Sequence, residues 1–323
     1  MKRLKIVGII CVLSIVAASA ATVLMESWTS QDTKEESGVE AMARQKAYET
    51  TAKRDLLSLM LAYGEEIKGI EREDDGMVYV VMQSGKRIVY DDKKEKTFEQ
   101  KLADADIQDM MEQVYPLAGI NRLMEENLDP GRIRAYDFFH EVYGKTEDEI
   151  KENLKSIVLG GQYFSFNKNN NAAGALEGVF DDLAALTQES PGIRGFVYPL
   201  GGTYNYRVIA GTGRLSPHAF GIAVDLKSSS GDYWRWATKE QGQRRLDAYP
   251  RDLVRVFENN YFIWGGKWSH FDILHYEYRP ELIIKSKYGA QSGGEIEPWY
   301  SGFPDTAPVH SCIDQIERAW EAP

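Results

Sequence analysis

Between Arg214 and Leu226 the chain reads Arg-Leu-Ser-Pro-His-Ala-Phe-Gly-Ile-Ala-Val-Asp-Leu, and no other stretch restricts the fold so tightly. Ser216, His218, Gly221, Ala223 and Asp225 spell S-x-H-x-x-G-x-A-x-D. From Gly221 onward the residues alternate, with Ile222, Val224 and Leu226 on one face of a strand and Gly221, Ala223 and Asp225 on the other. A carboxylate therefore shares a face with the smallest side chains available, where a ligand can approach closely. His218 and Asp225 offer a nitrogen and an oxygen donor, both suited to Zn²⁺. The stretch predicts half of a metal site built on a strand, and a fold that brings the remaining ligand to it.

A hydrolytic zinc site has three protein ligands and one open position. The chain holds five histidines, His140, His218, His270, His275 and His310. His275 completes the set best because of its surroundings in Asp272-Ile-Leu-His-Tyr-Glu277. A carboxylate three residues before a ligand can stand beside metal-bound water without ligating, accept its proton and later pass it to a leaving amine. Asp272 is so placed. His270, beside Trp268, reads as polar surroundings or a substrate contact, and His140 and His310 read as structural or surface residues. Ser216 has no histidine and acid relay to activate it, so its hydroxyl is read as orienting the loop or a ligand. Glu277 is read as holding a ligand imidazole or the turn. Trp264, Trp268, Tyr204 and Tyr206 either line a substrate groove or fill the core.

The net charge of −11 over 323 residues argues against a nucleic-acid binder, which carries a basic face. Lys2, Arg3 and Lys5 precede an apolar run from Ile6, and Ala18-Ser-Ala20 resembles a cleavage site. Residues 1–25 thus read as a signal peptide or an uncleaved membrane anchor, and either one places the body outside the cytoplasm. Of the two cysteines, Cys11 lies in this leader and Cys312 stands alone in the rest, so no internal disulfide is expected after cleavage.

Residues 26–48 are polar and read as a linker. A helix is expected from about residue 39 to Tyr63, then a hairpin of 77–82 and 87–90 around Gln83-Ser-Gly-Lys86. One helix is expected to carry Phe98, Leu102, Ile107, Met110, Met111 and Val114. Thr146-Glu-Asp-Glu149 forms a capping box before Ile150, Leu154 and Ile157. A strand is expected over 162–166, and a helix capped by Asn169–Asn171 runs on to Leu186. Tyr204–Ile209 and 261–264 read as strands, Pro250 opens a helix, and Ser311 caps the last one. The expected fold is α+β: a helix-rich accessory region at 49–158 containing the hairpin, then a catalytic domain at 159–323 with a small antiparallel sheet bearing the zinc site and flanking helices.

The first motif, the Trp264-Gly-Gly-Lys-Trp268 run and Asp272-x-x-His275 together resemble the zinc D-Ala-D-Ala carboxypeptidase and L-Ala-D-Glu endopeptidase family. That family shares a metallopeptidase group with lysostaphin and the hedgehog N-terminal domain. The resemblance runs over roughly residues 195–282. It implies that His218, Asp225 and His275 bind zinc and that Asp272 is the general base. It also implies that Arg207 polarises the scissile carbonyl and holds the oxyanion, with Arg214 the second choice. Combined with export, it implies peptidoglycan stem peptides as the substrate. D-Ala-D-Ala carboxypeptidase is the leading activity, an L-Ala-D-Glu-type endopeptidase the alternative, and a non-catalytic zinc-stabilised cell-wall module the alternative of another class. Asp272 argues against the last, which needs no such carboxylate. Ser216, Trp268 and Tyr206 are the expected substrate contacts, and nothing in the sequence sets the oligomeric state.

Overall fold

The structure is a computed structural model and describes residues 38–289 and 298–321. The expected leader and most of the expected linker lie outside the described residues. Two compact units are separated at Ala52/Lys53. In the first, residues 38–52 are helical, and the second opens with helical residues 53–62, α1. No helix among the described residues is long and apolar enough to cross a membrane.

The second unit opens with an antiparallel meander of β1 (Ile67–Arg72), β2 (Val78–Met82) and β3 (Arg87–Val89). The β2–β3 hairpin was expected, whereas β1 was not. The single helix expected next is two, α2 (Phe98–Ala103) and α3 (Ile107–Met111). Asp106 breaks it by accepting from the Asp109 backbone N–H in a capping box, which starts a new helix. Helices α4 (Tyr136–Tyr143) and α5 (Glu147–Glu152) follow, the latter capped by Thr146 as its sequence predicts. That helix ends at Asn153, so Leu154 and Ile157 lie not in a helix but in β4 (Leu154–Leu159), which pairs with β5 (Gln162–Asn167). The expected boundary between residues 158 and 159 thus falls inside a hairpin. Helix α6 (Ala172–Glu189) starts from a left-handed Asn171 without a side-chain cap bond.

After α7 (Arg194–Val197), the Tyr204–Ile209 segment forms no strand, and a single bridge joins Val208 to Leu215. Helix α8 (Pro217–Phe220) leads into β6 (Ala223–Asp225). Helices α9 (Lys239–Ala248) and α10 (Arg251–Asn259) precede β7 (Phe262–Trp264) and β8 (His275–Tyr278). The chain then enters α11 (Pro280–Ile284) and α12 (Ala307–Glu321). Ser311 lies inside α12, not at its start, because the helix begins four residues earlier. The fold is α+β with small antiparallel sheets, as expected.

The sheet of β6, β8 and β7 has β8 in its centre. Asp225 lies directly opposite His275, and Ala223 and Ile263 both lie opposite Glu277. Residues directly opposite in an antiparallel pair share a face, so one face collects Asp225, His275 and Glu277. On the other, Val224 pairs with Tyr276, whose ring stacks on Phe257 of α10 at 3.8 Å. The alternation read from the sequence is the division between a polar site and an aromatic core.

Buried charges join this sheet to the region before it. Lys267 pairs with Glu258 at 2.5 Å, and Glu258 accepts from the Tyr115 hydroxyl at 2.6 Å. Lys285 pairs with Asp55 at 2.6 Å. Arg279 donates to Gly131 at 2.6 Å and to Glu281 at 2.5 Å, and Glu281 accepts from Tyr63 at 2.8 Å. Removing one partner of such a pair costs about 3–5 kcal/mol, so residues 53–158 support the sheet directly.

Gly221 closes α8 with φ +70°, and a Cβ there would lie 2.7 Å from Leu154 Cδ2 and 3.2 Å from the Asn167 nitrogen. The left-handed backbone alone costs a non-glycine residue about 1–2 kcal/mol. Gly221→Ala is expected to lower the unfolding free energy by about 2–3 kcal/mol, read as a lower denaturant midpoint at unchanged slope.

Candidate metal centre

His218 is delivered by α8, one turn of helix opened by Ser216 and closed by Gly221. The Ser216 hydroxyl accepts from the His218 backbone N–H at 3.3 Å, and Pro217 supplies the first helical position. From outside, buried Asn167 at the end of β5 donates to the Phe220 carbonyl at 2.9 Å, and its backbone N–H donates to Gly221 at 2.8 Å. Ser216 is therefore a helix cap and is buried.

Each ligand imidazole is aimed by a contact on its far side. His218 Nδ1 lies 2.5 Å from the Thr203 carbonyl, which can only accept, so this nitrogen carries the proton and Nε2 presents its lone pair. His275 Nε2 lies 3.0 Å from Glu277 Oε1, leaving Nδ1 for the site. The three facing atoms form a triangle. His218 Nε2 is 3.2 Å from His275 Nδ1 and 3.2 Å from Asp225 Oδ1, and His275 Nδ1 is 2.8 Å from Asp225 Oδ1. Tetrahedral zinc with bonds of 2.0–2.1 Å needs ligand atoms about 3.3–3.4 Å apart. Two edges nearly meet that spacing, and the third closes to hydrogen-bond length. The donor set fits zinc, with two imidazoles and one carboxylate. Both imidazoles are buried, while the Asp225 side chain keeps 27 % of its surface exposed and forms the open side.

Without a cation, a proton takes its place. Burial opposes charge on His275, but its hydrogen bonds to Asp225 and Glu277 overcome this and push its pKa up to about 10. Burial likewise opposes the charge of Asp225, yet the His218 and His275 rings beside it hold its carboxyl well below the usual range. Glu277 is fully buried, and the Arg134 guanidinium and His275 keep its pKa down at about 2. Arg134 grips Glu277 through both Nε and Nη2.

Asp272 precedes the centre. Its backbone N–H donates to Gly265 at 2.9 Å and its carbonyl accepts from the His275 N–H at 3.1 Å. This approach requires the glycine, since a Cβ on Gly265 would lie 2.5 Å from the Asp272 carbonyl oxygen. Burial pushes the Asp272 carboxyl up to about 7, with His275 partly opposing and Asp225 adding to the rise.

The other sequence-derived residues are placed as follows. Arg207 is exposed, its carbonyl accepts from Ser216 N–H at 3.0 Å, and its guanidinium makes no hydrogen bond or ion pair among the described residues. Arg214 is half-buried near Tyr136 and Arg134, and Tyr206 is half-buried. Trp268 is buried, with its indole N–H donating to Pro130 at 2.8 Å and its ring 5.7 Å from that of His275. It forms a wall behind the ligand. Trp264 is core. His140 lies on α4, and His310 lies inside α12 and pairs with Asp305.

Sequence reasoning missed Arg134 and Thr203. Arg134 stands 143 residues from the carboxylate it holds, with no local signal. Thr203 acts through its carbonyl, which every residue possesses.

A family model described as D-alanyl-D-alanine carboxypeptidase matches residues 210–278. The match spans His218, Asp225, Asp272 and His275 and bears out the resemblance read from the sequence. It ends before Arg279 and does not reach back to Arg207 or Arg134. No curated protein and no solved structure matches the chain.

Two outcomes are expected. Adding Zn²⁺ to the metal-free protein at pH 7 should expel about one proton, because His275, with its pKa of about 10, is protonated there and must be neutral to ligate. Calorimetry in buffers of different ionisation enthalpy measures this, and the release should vanish well above pH 10. Arg134→Ala should weaken zinc binding by about 10–100-fold, the usual cost of losing a group that orients a ligand, as measured by competition with a chelator.

Proposed function

We propose that this chain, whose residues 210–278 match the D-alanyl-D-alanine carboxypeptidase family, is an exported zinc peptidase that trims peptidoglycan stem peptides, releasing a terminal D-alanine. The observation that carries the reading is the triangle of His218, Asp225 and His275 with a raised-pKa carboxylate, Asp272, beside it. His218, Asp225 and His275 would hold the metal. When bound, zinc supplies Lewis acidity toward water and a carbonyl oxygen.

The chain's own residues do the rest. Asp272, with a pKa near the working range, accepts a proton from water as it attacks and returns it to the departing amine. Glu277 and Thr203 keep the two imidazoles in register throughout. Arg207, with its guanidinium unengaged, is the residue assigned to the developing oxyanion. Export rests on the basic and apolar leader at residues 1–25.

Asp272→Asn is expected to retain zinc and to lose at least about a hundredfold in kcat/KM. Undiminished turnover in that variant would overturn the mechanism. Mass spectrometry of a pentapeptide-containing muropeptide digest reads the bond cut. Loss of one alanine is the expected result, whereas release of a longer peptide would reassign the chain as an endopeptidase. Full zinc binding with no cleavage of any muropeptide would make it a cell-wall module.

A further inference from the structure

The metal triangle and Asp272 take no part in a second cleft, of about 800 Å³, whose near wall lies two residues before Asp272. Its walls are the loop of residues 122–126, helix α9 and the pair Ser269 and His270. These walls are tied together. Gln243 of α9 accepts from the Leu123 N–H and donates to the Asn121 carbonyl, both at 3.0 Å, and the Ser269 N–H donates to Leu128 at 2.8 Å. Asp129, almost wholly buried, accepts from the His270 backbone N–H at 2.9 Å, from its Nδ1 at 2.6 Å and from the Ser269 hydroxyl at 3.2 Å. A carboxylate only accepts, so Nδ1 carries the proton, and Nε2 of the neutral ring is left as an acceptor. Nε2 meets no donor among the described residues, and the ring lines the cleft.

Trp234, half-buried, also lines the cleft, with its ring perpendicular to that of His270 at 4.5 Å. Ring contacts run on from Trp234 to Tyr233 at 6.2 Å and from Tyr233 to Trp236 at 5.0 Å, and Trp236 is 87 % exposed. This aromatic strip passes Asp272, because Tyr233 bridges to it and the Trp234 N–H donates to Phe271 at 3.0 Å. Leu123 and Met124 add apolar wall, and three basic side chains stand against two acidic ones, close to balance. Such a lining suits a neutral ligand that has an apolar face and O–H or N–H groups to offer Nε2. An N-acetylated sugar ring has all of these. A carboxylate has no proton to give and does not match His270.

In a stem pentapeptide four residues separate the sugar from the last bond, about 13–14 Å when extended. The near wall of the cleft stands two residues of chain from Asp272, at most about 7 Å, and its far wall is α9. A sugar can therefore enter the cleft while the last peptide bond stays at the metal centre. We propose that this cleft is a saccharide subsite for an N-acetylated sugar of the glycan strand. Trp234 packs against the sugar ring, and His270, oriented by Asp129, accepts through Nε2 from a hydroxyl or amide. The proposal rests on the peptidoglycan reading for the identity of the sugar. It brings residues 122–129, which lie outside the family match at 210–278, into substrate binding.

The test is calorimetric titration of the full-length zinc-loaded protein with a peptide-free N-acetylglucosamine tetrasaccharide, which needs no hydrolysis to report. Trp234→Ala should weaken binding about tenfold or more, as losing an aromatic anchor does. His270→Leu should weaken it about 2–10-fold, the worth of one hydrogen bond, whereas His270→Gln, whose carbonyl still accepts, should keep most of it. Zinc content read alongside separates loss of the cleft from loss of the fold. Arg244→Ala, an exposed change on α9, probes the opposite wall and should also weaken binding about 2–10-fold. No binding by the unaltered chain, or binding that survives the changes at Trp234, His270 and Arg244 alike, would overturn the assignment. Muropeptide cleavage is read separately. Saccharide binding through these residues in a chain that cuts no muropeptide retires the peptidase reading and leaves the saccharide site standing, and cleavage of a free pentapeptide without saccharide binding does the reverse.

Discussion

The hydrogen bond between His275 and Glu277 is the contact on which the rest of the structure depends. Both lie on one face of a central strand, two residues apart, and the bond leaves only one nitrogen of His275 to face Asp225. A carboxylate buried as fully as Glu277 is costly unless it is paired, and Arg134 answers it directly. Arg279, also fully buried, stands 3.9 Å away and is neutralised by Glu281, which in turn accepts from Tyr63, just past the end of α1. A line of alternating charge thus runs from a ligand of the metal centre to Tyr63, at the end of the first helix of the unit.

That line explains how strands of three and four residues hold a site together. Three short strands supply little ladder, and their stability comes from what covers them. Tyr276 stacks on Phe257, and Trp264 lies 4.9 Å from Tyr249 on the aromatic face. The polar face is packed with paired charges in place of solvent. The arrangement suits catalysis, because imidazoles held on both sides lose little freedom on ligation.

Two histidines flank Asp272, His270 two residues before it and His275 three after it. His275 turns Nδ1 toward Asp225 with Glu277 on its Nε2, and His270 holds its Nδ1 against the buried Asp129 carboxylate. For His275, the acid behind the ring decides which nitrogen meets a ligand.

Much of the centre was legible in the sequence because its signals are local. Glycine, alanine and aspartate at alternate positions describe a strand face, and Asp272 and His275 sit within four residues of each other. Strands β6 and β7 follow from these runs, as does the capping box of α5, whereas the central strand β8 was not read as one. The errors lie where short-range signals compete. Asp106 capped a new helix inside an apolar pattern, and Leu154 and Ile157 fit a helix period but pair in β4, because α5 stops at Asn153 and the chain turns back at Gly160-Gly161 into β5. What only the tertiary structure decided is the set of groups behind the ligands. Thr203 contributes a carbonyl, and Arg134 comes from a region that carries no motif. Such partners act at long separation through charge and burial, and a buried charge leaves no periodic trace in the sequence. The sequence determined which atoms can hold a metal, and folding determined which way they point.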